Sequence, residues 1–195
     1  MVALHGPIQC PATTVTCAAP QPGLSSVRGN GATEALEADI SIVGVTGHRQ
    51  LTAGITTHLR AKIVAVLGEQ PRPLVGVTSL ADGADQLFAA SVLEQGGAVH
   101  VVLPAAGYEA TVRDSESYGR LLAAAAEVTV LDFAEPGPDA YSAAGRYIAD
   151  HCDLLVAIWD GEAPRGPGGT HAAVTYALRI GRPVRVCWPA EAVRP

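Results

Sequence analysis

The run Asp153-Leu-Leu-Val-Ala-Ile-Trp159 and the stretch that follows it, Arg165-Gly-Pro-Gly-Gly-Thr-His-Ala-Ala-Val174, decide the fold. An apolar run of strand length enters a glycine-rich loop, and a helix-like run then continues to about Gly181. Strand, glycine loop and helix in that order make an anion site. Glycine lets the backbone approach a phosphate and reach angles other residues avoid. The free N–H groups at the helix start, reinforced by the helix dipole, hold negative charge. The same stretch also reads as a plain strand-to-helix turn, so the rest of the chain has to decide between the two.

Working outward, the same alternation recurs. Asp39-Ile-Ser-Ile-Val-Gly-Val45 reads as a buried strand, and Thr52 caps a helix to about Leu67 with Ile55, Leu59, Ile63 and Val66 on one face. Pro73–Val77, Ala98–Leu103, Val128–Leu131 and Pro183–Cys187 are further short apolar strands, and 83–95, 114–126, 139–151 and 170–180 are helices. Strands alternating with helices predict an α/β fold. It is a single doubly wound, mostly parallel Rossmann-like sheet with helices on both faces. Such sheets bind ligands beyond the C-terminal ends of their strands, where strand order reverses.

Three loops fall at that edge. They are Gly44-Val-Thr-Gly-His-Arg49, Thr78-Ser-Leu-Ala-Asp-Gly-Ala-Asp85 and the loop from Trp159 to Thr170. Each carries glycine together with hydroxyl or charged residues. The candidate ligand-binding residues are Gly47, His48, Arg49, Ser79, Asp82, Gly83, Trp159, Asp160, Gly168, Gly169 and Thr170. Gly168, Gly169 and Thr170 suit a phosphate cradle, and Arg49 suits a two-pronged bond to phosphate. Asp160 suits ribose hydroxyls or, equally, an Asx turn over Gly161. Trp159 suits base stacking or core packing. Asp85, at a helix start, reads as a cap or an arginine partner.

Composition narrows the function. The chain has 195 residues, 48% of them hydrophobic, which suits one domain with a sizeable core. The segment 1–37 shows neither period and is expected to be a flexible tail, with residues 38–190 as the folded domain. Net charge is −6, and Lys62 is the single lysine. That balance argues against a sequence-independent nucleic-acid surface, so nucleic acid is not the expected partner. Cys10, Cys17, Cys152 and Cys187 form no C-x-x-C pair and no zinc spacing, so neither metal nor cofactor is expected. No apolar run nears ~20 residues and no signal-peptide pattern opens the chain, so the expected location is the cytoplasm, away from the membrane.

Thr46-Gly-His-Arg49, Ser79-Leu-Ala-Asp-Gly-Ala-Asp85, Cys152-Asp-Leu-Leu-Val-Ala-Ile-Trp-Asp-Gly161 and Gly168-Gly-Thr170 together resemble the SLOG superfamily. That group unites the DNA-processing protein A fold, the lonely-guy phosphoribohydrolases and related nucleotide-sensing domains. The resemblance covers most of residues 40–187. It is greatest to the stand-alone members predicted to bind nucleotides or nucleotide-derived signals. It implies a Rossmann-like domain with a nucleotide over the strand ends and a tendency to form homodimers.

The chain also departs from the hydrolase pattern. Lonely-guy hydrolases carry P-G-G-x-G-T-x-x-E, whose Glu assists N-glycosidic cleavage. Here Pro167-Gly-Gly-Thr170 is two residues shorter, and Ala173 stands three after the threonine. Two readings follow. One is a binding or sensing module. The other is a nucleoside 5′-monophosphate phosphoribohydrolase that would have to use Asp160 or His171 for acid–base work.

Overall fold

The computed structural model describes residues 12–15, 40–162 and 169–189. Seven strands make one sheet: β1 (Ala12–Val15), β2 (Ser41–Gly47), β3 (Leu74–Thr78), β4 (Ala98–Leu103), β5 (Glu127–Leu131), β6 (Leu154–Ile158) and β7 (Val184–Val186). Five α-helices connect them: α1 (Ala53–Gly68), α2 (Ala84–Glu94), α3 (Ser115–Ala123), α4 (Pro138–Asp150) and α5 (Thr170–Arg179). Strand order is β1-β5-β4-β3-β2-β6-β7. The six strands β2 to β7 are parallel throughout, as expected for the Rossmann-like sheet.

Side-chain parity explains why both faces are covered. In β4, Val99, Val101 and Leu103 join one core cluster with Leu59 and Ile63 of α1, Phe88 of α2 and Tyr118 and Leu121 of α3. Val102 points the other way and joins Val77, Leu155, Ile148 of α4 and Ala177 of α5. Alternation with period two therefore sends α1–α3 to one face and α4–α5 to the other. Strands buried on both sides read as continuous apolar runs, which is how they announced themselves.

The chain winds outward from β2 through β3 and β4 to β5, then crosses back to place β6 on the other side of β2. The β2–β6 seam is the point where strand order reverses, and α5 starts from the end of β6. Two glycines make the seam close. A Cβ on Gly44 would lie 2.7 Å from Ile148 of α4, and one on Gly47 would lie 2.4 Å from Ala84 Cβ at the start of α2.

Two features differ from the sequence reading. Ala12–Val15 lies in the segment expected to be a flexible tail, yet it pairs antiparallel with β5, Thr13 opposite Val130. Its Thr-Thr-Val run is β-branched and suits an edge strand, but four residues are too short for a period to show. Tyr108–Thr111, unassigned in the sequence, forms a 3-10 turn after β4. Gly168, Arg165, Cys10 and Cys17 lie outside the described residues. No described helix is long and apolar enough to cross a membrane.

Candidate functional site

A cavity of about 570 Å³ opens at the C-terminal ends of the strands beside the β2–β6 seam. The loop after β2 supplies Gly47 and Arg49, the loop after β3 supplies Ser79 and Asp85, and Tyr108 follows β4. The far wall is the α4–α5 pair, with Tyr141, Gly145 and Arg146 from α4 and Gly169, Thr170 and His171 from α5. Of the residues predicted from sequence, Gly47, Arg49, Ser79, Gly169 and Thr170 line this one cavity, as does His171.

The others brace the site from outside its lining. Asp82 accepts hydrogen bonds from the backbone N–H of Arg113 (3.0 Å) and Asp114 (3.1 Å), and its carboxylate lies 3.8 Å from Arg49. It ties the β3 loop to the start of α3 and orients Arg49. Arg49 therefore pairs with Asp82 and not with Asp85, the acid that read as an arginine partner. Gly83 (φ +76°) is the residue before α2, and a Cβ there would meet the carbonyl oxygens of His48 and Arg49 at 2.7 Å. His48 Nε2 lies 3.2 Å from Asp160 Oδ1, both side chains nearly buried, and the His48 ring sits edge-on to Trp188. Asp160 Oδ1 also accepts from the Glu162 N–H at 3.0 Å, which is the Asx turn anticipated over Gly161. Trp159 lies just past β6, donates its indole N–H to the Glu162 carbonyl and meets His171 edge-on.

Asp85 was read only as a cap or an arginine partner, and the cavity gives it more weight. Its carboxylate is buried in the cavity wall and accepts the N–H groups of Ser79 (3.2 Å) and Ala81 (3.4 Å). Burial pushes its pKa up to about 6, against the lowering effect of those bonds and of Arg49. Between them, Leu80 holds φ +55°, an uncommon conformation for a branched side chain, fixed by the Thr78 hydroxyl accepting its N–H at 3.1 Å. Burial likewise raises the phenol of Tyr108.

The opposite wall has a different character. Gly169 (φ +78°) precedes α5 with no side-chain cap, so the first N–H groups of the helix lack an intrahelical partner. Arg146 and Arg179, which no motif pointed out, line the cavity from α4 and α5. Arg49, Arg146 and Arg179 thus face one carboxylate, Asp85, so the cavity is locally cationic in a chain of net charge −6. No group of His, Cys, Asp and Glu among the described residues is arranged to hold a metal ion.

A parallel sheet with its cavity at the strand-order reversal, floored by two glycine-bearing loops, defines a Rossmann-like domain with a pocket where such sheets take ligands. Solved structures refine that class. The chain is similar to DNA processing protein A from Streptococcus pneumoniae (20% identity, TM-score 0.59), over 76% of this chain and 50% of that one. It is similar to DNA processing protein A from Helicobacter pylori, described for its single-stranded DNA binding mode (16%, 0.56), over 75% and 64%. It is also similar to the molybdenum cofactor carrier protein of Chlamydomonas reinhardtii (19%, 0.50), over 75% of each chain. The chain therefore shares the Rossmann-like fold of these proteins. The chain spans only half to two thirds of the two DNA-processing proteins. No protein-family model matches the sequence, and no curated protein matches it.

Proposed function

We propose that this chain is a binding or sensing module for a nucleotide or nucleotide-derived phosphorylated ligand, held at the C-terminal ends of the parallel strands. One observation carries the reading. A single cavity of about 570 Å³ at the strand ends joins the uncapped start of α5 to three arginines. Its size suits a mononucleotide-scale ligand. The N–H groups at a helix start and guanidinium groups are two devices that proteins use for phosphate. Thr170 adds a hydroxyl at the same point.

A second reading, phosphoribohydrolase activity, is favoured by Asp85. Ala173 occupies the position of the lonely-guy Glu. Its Cβ is 3.5 Å from where a Cβ on Gly145 would lie, so this position closes the α4–α5 contact. Asp160 does not line the cavity, whereas Asp85 does, with a pKa of about 6 that suits acid–base work. On this reading Asp85 takes the role that the sequence assigned to Asp160 or His171.

Native mass spectrometry of the protein in a mixed nucleotide pool, followed by chromatography of the solution, separates the readings. An intact nucleotide retained without release of free base is the expected result. Free base and ribose 5-phosphate formed with turnover would replace it with the hydrolase. Retention of an oligonucleotide in preference to any nucleotide would replace both with a nucleic-acid role.

A further inference from the structure

The cavity is lined differently along the row of strand ends. Beyond β6 stand Gly169 and Thr170, where α5 begins. Beyond β4 stand Pro104 and Tyr108, joined there by Tyr141 of α4. Strand order puts β3 and β2 between β4 and β6. Three inter-strand spacings make roughly 14 Å, close to the length of an extended nucleoside monophosphate and well beyond that of a sugar phosphate. Ser79 and Asp85 follow β3 and line the stretch between.

The two tyrosines come from opposite faces of the sheet. Tyr108 opens the 3-10 turn after β4, is 2% exposed and belongs to the cluster of α1, α2 and α3. Tyr141 lies in the first turn of α4, whose Ala144 and Ile148 join the other cluster. Tyr141 nevertheless packs against the first cluster, so its side chain crosses over the strand ends. The Tyr108 and Tyr141 rings lie 6.1 Å apart at 67°. Tyr118, outside the cavity lining, holds Tyr108 edge-on at 6.4 Å. Tyr108 is thereby fixed, while Tyr141 is only half-buried and keeps ring surface open to the cavity. Two rings at such an angle form a corner. A flat group entering it stacks on one ring and meets the edge of the other, the two arrangements that aromatic pairs favour. Pro104 and Ala144 add apolar surface to the same wall.

Resting on the nucleotide reading above, we propose that Tyr108 and Tyr141 form the subsite for the nucleobase. The ligand then lies across the strand ends, with its phosphate at the start of α5, its ribose beside Ser79 and Asp85, and its base in the tyrosine corner past β4. Tyr141 is the residue that makes the cavity prefer a nucleotide to a sugar phosphate. Stacking is tolerant of base identity because every base has a π-face, so the corner selects for a base without choosing which.

Calorimetric titration of the full chain with AMP, GMP, CMP, UMP and ribose 5-phosphate tests this. The unaltered protein is expected to bind at least one of the nucleotides about fivefold or more tighter than ribose 5-phosphate. Tyr141→Ala removes that advantage and leaves ribose 5-phosphate within about twofold. Tyr141→Leu, which keeps apolar bulk against the core but lacks the ring, repeats the loss, and Tyr141→Phe retains the nucleotide affinity within about twofold. If Tyr141→Ala and Tyr141→Leu weaken nucleotide and ribose 5-phosphate equally, or neither, the base lies elsewhere and the subsite is overturned while nucleotide binding stands. Equal affinity of the unaltered protein for ribose 5-phosphate and every nucleotide also overturns it. If none of the five probes binds, the nucleotide reading falls and takes the subsite with it.

Discussion

The two walls of the cavity use their polar groups in opposite ways. On the loop wall the chain satisfies itself. Asp82 is held by two N–H groups of the α3 start, Asp85 by two of its own loop, and His48 faces Asp160. On the helix wall the start of α5 has no cap, and Arg146 and Arg179 have no ion pair among the described residues. The loop wall is a brace whose interactions are already made. The helix wall has its donors still to place. On the nucleotide reading proposed above, recognition of an anion falls chiefly to the second, with Arg49 contributing from the first.

That contrast predicts unequal costs for similar changes. Gly47→Val drives side-chain atoms into Ala84 and Ile158, whose Cβ atoms lie 2.4 and 2.8 Å from the new Cβ. A loss of about 3–5 kcal/mol in a urea melt is expected, enough to threaten folding. Gly169→Ala meets nothing within 4 Å, so only its backbone strain at φ +78° remains, roughly 1–3 kcal/mol. Equal losses at the two glycines would erase the distinction between the walls.

Asp85 gives the next largest effect, and it depends on pH. Its folded pKa of about 6 exceeds its ordinary 3.8, so the folded state holds the proton more tightly. The contribution of Asp85 to stability is then greatest below pH 3.8, falls as pH rises towards 6, and is flat above. The fall is on the order of 3 kcal/mol. Asp85→Asn keeps an acceptor for Ser79 and Ala81 and lacks the charge, so its stability should lose this slope and exceed that of the unaltered protein at pH 8. Melting curves across the pH range check the sign, and an unchanged slope would mean that the carboxylate is hydrated.

Smaller changes sharpen the same comparison. Asp82→Ala removes the acceptor for Arg113 and Asp114 and should cost roughly 1–3 kcal/mol. It should also weaken phosphate binding by loosening Arg49. Arg146→Ala/Arg179→Ala should leave the melting midpoint nearly unchanged, within about 0.5 kcal/mol, because exposed side chains without ion pairs hold little of the fold.

The fold was legible because strands buried on both faces are written as unbroken apolar runs, and each is closed by glycine, proline or a capping residue. Val43, Val101 and Val156 announce their strands this way. β1 was not, because its four residues have meaning only against β5, far along the chain. The mouth of the site was legible at Gly47, Arg49, Ser79, Gly169 and Thr170, since loops after parallel strands must share one edge. What each polar residue does there was not. Asp82 was read as a ligand contact, but its partners are Arg113 and Asp114, 31 and 32 residues away. Arg146 and Arg179 carry no local pattern. They line one cavity only because α4 and α5 pack side by side, a property of the tertiary structure.

The most direct test follows the backbone amides by heteronuclear NMR while AMP is added, with adenosine as the uncharged control. Saturable shifts at Gly169, Thr170 and His171, accompanied by Ser79 and Arg49 and absent with adenosine, are the predicted result. Shifts confined to surfaces away from the strand ends, or identical shifts with adenosine, would contradict a phosphate site at the start of α5.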